Sequence, residues 1–292
     1  MILTVKVLVA GCGWLGRSVV RALVARGDRP IALRRDPASA GRLEEIGAVP
    51  LVADLSRPEA VEQLPGDVDA VVACLAPTGA RGAEAYERTY IGAVRTLLDA
   101  YAPRGLRSFV YTSSTGVFGQ TDGRQVDEHT PPQPASETAH VLVRAERQVL
   151  TRLGGHALPA SVVRLSGLYG PGRFGVIDRV RSGRLALGPG DGAWMNFCHR
   201  TDATRAVVAA LDRGRAGEIY HASDACPVRR RDLIRWVAEQ FGFDPSRSDA
   251  GEGGSGGANR RVDASWSRER LGIDLAYPSF REGLGQAPTG PS

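Results

Sequence analysis

Val5-Lys6-Val7-Leu8-Val9-Ala10-Gly11-Cys12-Gly13-Trp14-Leu15-Gly16 decides the fold. The stretch Val5–Ala10 is almost continuously apolar and reads as a strand buried on both faces. Glycines at 11, 13 and 16 then form the G-x-G-x-x-G turn that opens a helix in dinucleotide-binding units. The first glycine permits the tight bend, the second lets the backbone approach a pyrophosphate, and the third lets helix and strand lie close. The helix amino terminus offers its free N–H groups to the anion. Gly11, Gly13, Trp14, Leu15 and Gly16 are therefore the candidate phosphate-binding residues.

Working outward, the same alternation continues. Apolar runs at Pro30–Arg34, Val49–Ala53, Ala70–Leu75 and Ser108–Ser113 read as strands, separated by helical stretches at Leu15–Arg26, Ala38–Ile46, Glu59–Leu64 and Glu84–Tyr101. A long helix at Ala135–Leu153 and a strand at Ala160–Leu165 follow. This is the pattern of an α/β fold, a doubly wound parallel sheet of the Rossmann type. After Leu165 the rhythm loosens. A helix at Asp202–Arg213 and a strand at Glu218–His221 return to the sheet, and Arg229–Phe241 forms another helix. Asp249–Ala258 is glycine-rich enough to read as a flexible loop, and Gln286–Ser292 as a frayed tail. The expected organisation is a nucleotide-binding domain over 1–165, with 200–222 returning to it, and a smaller interleaved C-terminal substrate lobe over 166–292.

Composition narrows the function. The 292 residues are 42% hydrophobic and 24% charged, which excludes wholesale disorder and fibrous architectures. No apolar run approaches the ~18–20 residues that cross a bilayer, and the amino terminus reads as a strand without a signal-peptide pattern. A cytoplasmic protein with no membrane partner is expected. The net charge of +5 comes from arginines scattered along the chain rather than from a basic run, so no nucleic-acid partner is expected. Cys12, Cys74, Cys198 and Cys226 form no CxxC pair and read as small buried hydrophobes. The five histidines have no metal-ligand spacing, so no metal site is expected.

At the end of the second strand an NAD site usually places a carboxylate for the ribose hydroxyls. Here Arg34 and Arg35 stand in that place, followed by Asp36. Two guanidinium groups offer bidentate donors to a 2′-phosphate, which favours NADP (NADPH) over NAD.

Further motifs resemble the extended short-chain dehydrogenase/reductases, the class of the epimerases and dehydratases, over about Val5 to Leu284. Val52-Ala53-Asp54-Leu55 is similar to the third-strand signature, whose Asp54 is then implied to contact adenine, with Leu55 beside it. Ala73-Cys74-Leu75-Ala76-Pro77 occupies the fourth-strand position, which implies that Leu75, Ala76 and Pro77 flank the cofactor. Thr112-Ser113-Ser114-Thr115-Gly116-Val117-Phe118-Gly119 resembles the serine element, with Ser114 at the active-site serine. Arg164–Gly172 and His199-Arg200-Thr201-Asp202 match two later elements. Tyr277–Leu284 resembles an atypical epimerase/dehydratase-like branch. The resemblance also implies a homodimer through Glu84–Tyr101 and Ala135–Leu153.

The departure from that family is large. Its members carry Tyr-xxx-Lys on the helix after the serine. Aligning Glu146 with the family glutamate puts Thr138 in the place of the tyrosine and Leu142 in that of the lysine. Lys6 is the only lysine of the chain and belongs to the first strand, so no shift of register restores the pair. General acid–base assistance of that kind is worth ~10²–10⁴-fold, and threonine and leucine cannot supply it. Three readings follow. The chain is an NADP-dependent oxidoreductase whose small organic substrate needs no enzyme tyrosine, such as an imine or an activated alkene or carbonyl held by Ser114 or Thr138. It is instead a non-redox epimerase, isomerase or dehydratase, or a catalytically silent NADP-binding sensor. His140 is the best replacement acid by residue type, although two residues beyond Thr138 on a helix points about 200° away. Tyr169 and Cys198, and Trp194, Met195 and Phe197, are candidate pocket walls.

Overall fold

Strands β1 (Lys6–Ala10), β2 (Arg29–Arg34), β3 (Val49–Val52), β4 (Ala70–Ala73), β5 (Ser108–Ser114), β6 (Ala160–Leu165) and β7 (Ile219–Ala222) form one seven-stranded sheet. Its order is β7-β6-β5-β4-β1-β2-β3, with every pairing parallel. The structure is a computed structural model and describes residues 4–77, 82–154, 160–245 and 257–288. The Rossmann α/β architecture expected from the strand–helix alternation is present.

The two-residue period of the strands sorts their side chains onto two cores. Val7, Val9 and Val72 face helices α1 (Trp14–Ala25) and α7 (Arg200–Arg213). Leu8, Ala10, Val71 and Tyr111 face the other side. There the sheet is covered by α4 (Ala93–Tyr101) and α5 (Glu137–Gly154), with residues such as Leu97, Leu98, Ala145 and Val149. Because both faces are covered, the strands carry no polar side, which is why they read as continuous apolar runs. The order of strand addition reverses about β1: the chain moves outward to β2 and β3, then crosses back to β4. Register places Ala10 beside Leu33 on one side and Ala73 on the other, so the carboxyl ends of β1, β2 and β4 diverge around Gly11. A crevice opens at such a switch point.

A separate core gathers Tyr169, Ile177, Val180, Phe197, Leu233, Ile234, Phe280 and Leu284. They come from helices α6 (Gly175–Arg181), α8 (Arg230–Phe241) and α10 (Phe280–Leu284), and from the paired strands Gly167–Tyr169 and Phe197–His199. Asp202 at the start of α7 fastens this lobe to the sheet by accepting the Ala276 and Tyr277 amides at 2.8 and 2.9 Å.

Several local expectations are corrected. Glu59–Leu64 reads as an α-helix, yet Pro58–Gln63 is a 3₁₀ segment. The 84–101 stretch is helical but not uniform: α3 (Ala83–Tyr86) and α4 are joined by a π-helical turn at Glu87–Gly92. Ala287 packs into the lobe core, so the start of the expected frayed tail is anchored; residues 289–292 lie outside the described set, as does most of the Asp249–Ala258 loop. Cys226 is exposed rather than buried. No helix among the described residues is long and apolar enough to cross a membrane.

Candidate functional site

A crevice of about 860 Å³ follows the carboxyl ends of the strands from β3 to β6. Its floor is the glycine turn. Gly11 adopts φ +83°, and a Cβ there would lie 2.5 Å from the Cys74 carbonyl oxygen. A Cβ on Gly16 would lie 2.6 Å from the Gly11 carbonyl oxygen. Gly13 differs: its nearest neighbour would be Arg34 Nη1 at 3.6 Å, so the missing side chain leaves an open cradle at the start of α1. Two glycines thus serve the packing of the turn and one serves its ligand. The cradle fits the pyrophosphate of a dinucleotide, and the crevice volume falls in the range of ligand pockets.

One end of the crevice is lined by Arg34, Arg35, Asp36, Asp54 and Leu55. Arg34 Nη1 donates to the Cys12 carbonyl at 3.3 Å, which draws the guanidinium over the turn. The Asp36 carboxylate accepts the Ala38 amide at 3.0 Å and caps the Pro37–Ser39 turn. Burial pushes the Asp54 carboxyl up, but hydrogen bonds from the Ser56 hydroxyl and amide, with Arg35 and Arg57 nearby, hold it below its usual value.

The other end brings Leu75, Ala76, Pro77, Ser114, Thr138 and Leu142 together. Ser114 ends β5, and its Oγ accepts the Gly116 amide at 3.0 Å, which leaves its own proton free to donate. Thr138 lies in the first turn of α5, with Oγ1 3.1 Å from Ser136 Oγ; Ser136 also lines the crevice. Leu142 is buried against Val117, Phe118, Val126 and Val262. The place of the family lysine is therefore an apolar cluster. Lys6 starts β1 at its opposite end and pairs with Asp67 at 2.5 Å, far from this chemistry in the fold. His140 is exposed on α5 and does not line the crevice, so the helix geometry that turns it away from Thr138 removes it as a replacement acid.

Behind this end lies an ion pair. Glu146 of α5 accepts Arg164 Nε and Nη2 at 3.0 and 2.8 Å and the Ser113 hydroxyl at 2.6 Å, with both charged side chains buried. The Arg164 guanidinium also lies 5.0 Å over Phe118. This network ties α5 to β5 and β6 and fixes the backbone on which Ser114 and Thr138 stand.

Sequence reasoning missed several crevice residues. Tyr86, just before the π-helical turn, and Tyr90, within it, line the crevice, their rings 5.1 Å apart and packed near Leu142. Their spacing of four on a helix was the available signal. Ser166 and Arg173 line the crevice from the segment after β6. Conversely, Tyr169, Phe197 and Cys198 are buried in the interior, and Trp194 lies beside the Arg229 and Arg261 guanidiniums at 4.4 and 5.5 Å. These residues and Met195 are not crevice walls.

Fold and turn together define a doubly wound dinucleotide-binding protein. The model of the NAD dependent epimerase/dehydratase family matches residues 7–223, and the chain belongs to that family. It is 28% identical over 288 residues to protein YeeZ of Escherichia coli strain K12, covering 94% of this chain and 96% of that one. It is 28% identical over 242 residues to 4-hydroxy-2-methyl-3-oxo-4-farnesyl-3,4-dihydroquinoline-1-oxide ketoreductase of Stigmatella aurantiaca, covering 80% of this chain and 72% of its relative. Among solved structures it resembles MoeE5 in complex with UDP-glucose and NAD, with TM-score 0.80, 25% identity and 96% of both chains covered.

Proposed function

We propose that this protein is an NADP-dependent oxidoreductase that reduces a small organic metabolite without the tyrosine–lysine pair of its family. The observation that carries the cofactor half is the placement of Arg34 and Arg35 on the crevice wall beyond the glycine turn, with the Asp36 carboxylate engaged in capping. NAD held by MoeE5 and the ketoreductase activity in a relative's name support nicotinamide chemistry on this scaffold. When bound, the nicotinamide supplies a hydride.

The chain's own residues bind and orient. The turn at Gly13 and the N–H groups of α1 would hold the pyrophosphate, and the two arginines would hold the 2′-phosphate. Ser114 and Thr138 present hydroxyls at the opposite end. A hydroxyl there donates a hydrogen bond to a carbonyl oxygen as charge develops on it, but it does not deliver a proton as an acid near neutrality would. Substrates that suit such a site are a protonated imine, which becomes a neutral amine on taking hydride, and an alkene conjugated to a carbonyl, which takes its proton from water afterwards.

Fluorescence titration is expected to show tighter binding of NADPH than of NADH, and the reverse order would remove the arginine argument. A screen of carbonyls, imines and activated alkenes that follows NADPH consumption tests the reaction. Product without consumption would replace this reading with an isomerase or dehydratase. Tight cofactor binding with no turnover would replace it with a sensor.

A further inference from the structure

The phosphate turn is in contact with a segment from the other lobe. Trp14, inside the glycine turn, donates its indole Nε1–H to the Pro171 carbonyl at 3.0 Å. Two residues on, the Arg173 guanidinium carbon lies 5.5 Å from the centre of the Trp14 ring. Gly170 and Gly172, at φ +139° and +77°, shape the tight turn that returns the chain toward Trp14, closed by the Arg173 amide on the Gly170 carbonyl at 2.8 Å. The next residue, Phe174, packs against the lobe core, so Arg173 is carried by that lobe.

Arg173 and Trp14 both line the crevice. Among the described residues no carboxylate pairs with Arg173, nor with the neighbouring Arg17, Arg21 and Arg200. Arg200 lies 4.8 Å over the same indole and is itself crowded by Arg17 and Arg21. A concentration of guanidinium charge with no protein counter-ion, next to a cradle built for a phosphate, calls for an anion. Of this group Arg173 is the one that faces the crevice, and a guanidinium matches two phosphate oxygens bidentately.

We propose that Arg173 is a pyrophosphate-binding residue that closes over Trp14 onto the dinucleotide, so that cofactor binding fastens the second lobe to the glycine turn. This rests on the dinucleotide reading above. It predicts that the lobe segment around 167–181 is more ordered with cofactor than without.

The test uses the whole protein and two probes: NADPH, and 2′-AMP, which carries the 2′-phosphate but no pyrophosphate. Arg173→Met is expected to weaken NADPH by about tenfold or more, as for loss of a charged hydrogen bond, while 2′-AMP binding stays within about twofold. Arg173→Lys should recover part of the loss. Amide exchange in 167–181 should slow on adding NADPH to the native protein and not to Arg173→Met. An unchanged NADPH affinity in Arg173→Met would overturn the assignment. So would an equal loss for both probes, since the residue would then act on the fold. A native protein that binds no NADPH at all would instead fail the dinucleotide reading itself.

Discussion

The two ends of the crevice have been constrained differently. At the glycine turn the requirement is backbone geometry: a Cβ at Gly11 or Gly16 would strike a carbonyl within 2.6 Å, so the motif is complete. At the other end the requirement is side-chain chemistry, and α5 runs undisturbed through Thr138 and Leu142, the positions that the family resemblance aligns with an acid and a cation. Yet the frame around the replaced pair is intact, since Ser113, Glu146 and Arg164 remain buried and mutually bonded. The difference teaches that the buried frame at this end is built independently of the side chains at 138 and 142.

If the frame and the chemistry are separable, removing the frame should have the larger effect on stability. Glu146→Ala would leave the Arg164 guanidinium buried without its carboxylate, a change that typically costs about 3–5 kcal/mol. Thermal unfolding should show a large fall in Tm, with Thr138→Ala close to native by the same measure. An equal, small effect for both would break the distinction. Next in size is Leu142→Lys, which puts an ammonium among Val117, Phe118, Val126 and Val262. About 2–3 kcal/mol of destabilisation is expected. The double variant Thr138→Tyr, Leu142→Lys is expected to bring no large gain in native turnover, and such a gain would show that the native reaction still wants the family pair.

What could be read from the chain divides along the same line. The parallel sheet, the turn and the crevice end with Arg34 and Arg35 were legible because each depends on local features: continuous apolar runs, fixed glycine spacing, strand-end position. The absence of Tyr-xxx-Lys was equally visible. Arg173 was not legible. It reaches the crevice only because the Gly170–Arg173 turn folds back on Trp14, 157 residues away along the chain from Pro171. Nor was the π-helical turn, since Glu87–Gly92 has no local composition that separates it from an α-helix. Trp194 and Cys198 misled because an apolar residue near a motif looks the same whether it lines a pocket or a lobe core.

A buried carboxylate just after β7 offers a pH test. Asp224 is buried, its Oδ1 accepts the Cys226 amide at 3.3 Å, and its Oδ2 has no partner among the described residues. Burial, assisted by Glu282 and Asp202 nearby, pushes its carboxyl up to about 8. The folded state therefore holds a proton that the unfolded state releases near pH 4. The group's contribution is fully present below that point and is lost as pH rises through about 8. Asp224→Asn does not titrate, so its stability relative to native should climb as pH rises between these limits. A difference that is flat with pH would mean the carboxyl is charged throughout.

Gly13→Ala gives the smallest effect and the sharpest comparison. An added Cβ on Gly13 meets nothing nearer than Arg34 Nη1 at 3.6 Å. The methyl group would instead occupy the cradle where a phosphate sits. NADPH affinity should fall by about tenfold, or about 1.4 kcal/mol, with a smaller fall in Tm than Gly11→Ala gives. Gly11→Ala, by contrast, drives a methyl group into the Cys74 carbonyl and should lower Tm as well as affinity. If Gly13→Ala lowers Tm as much as Gly11→Ala, all three glycines serve the turn. If Gly13→Ala leaves NADPH binding untouched, the open face of the cradle is not where the dinucleotide lies, and the proposed cofactor placement falls with it.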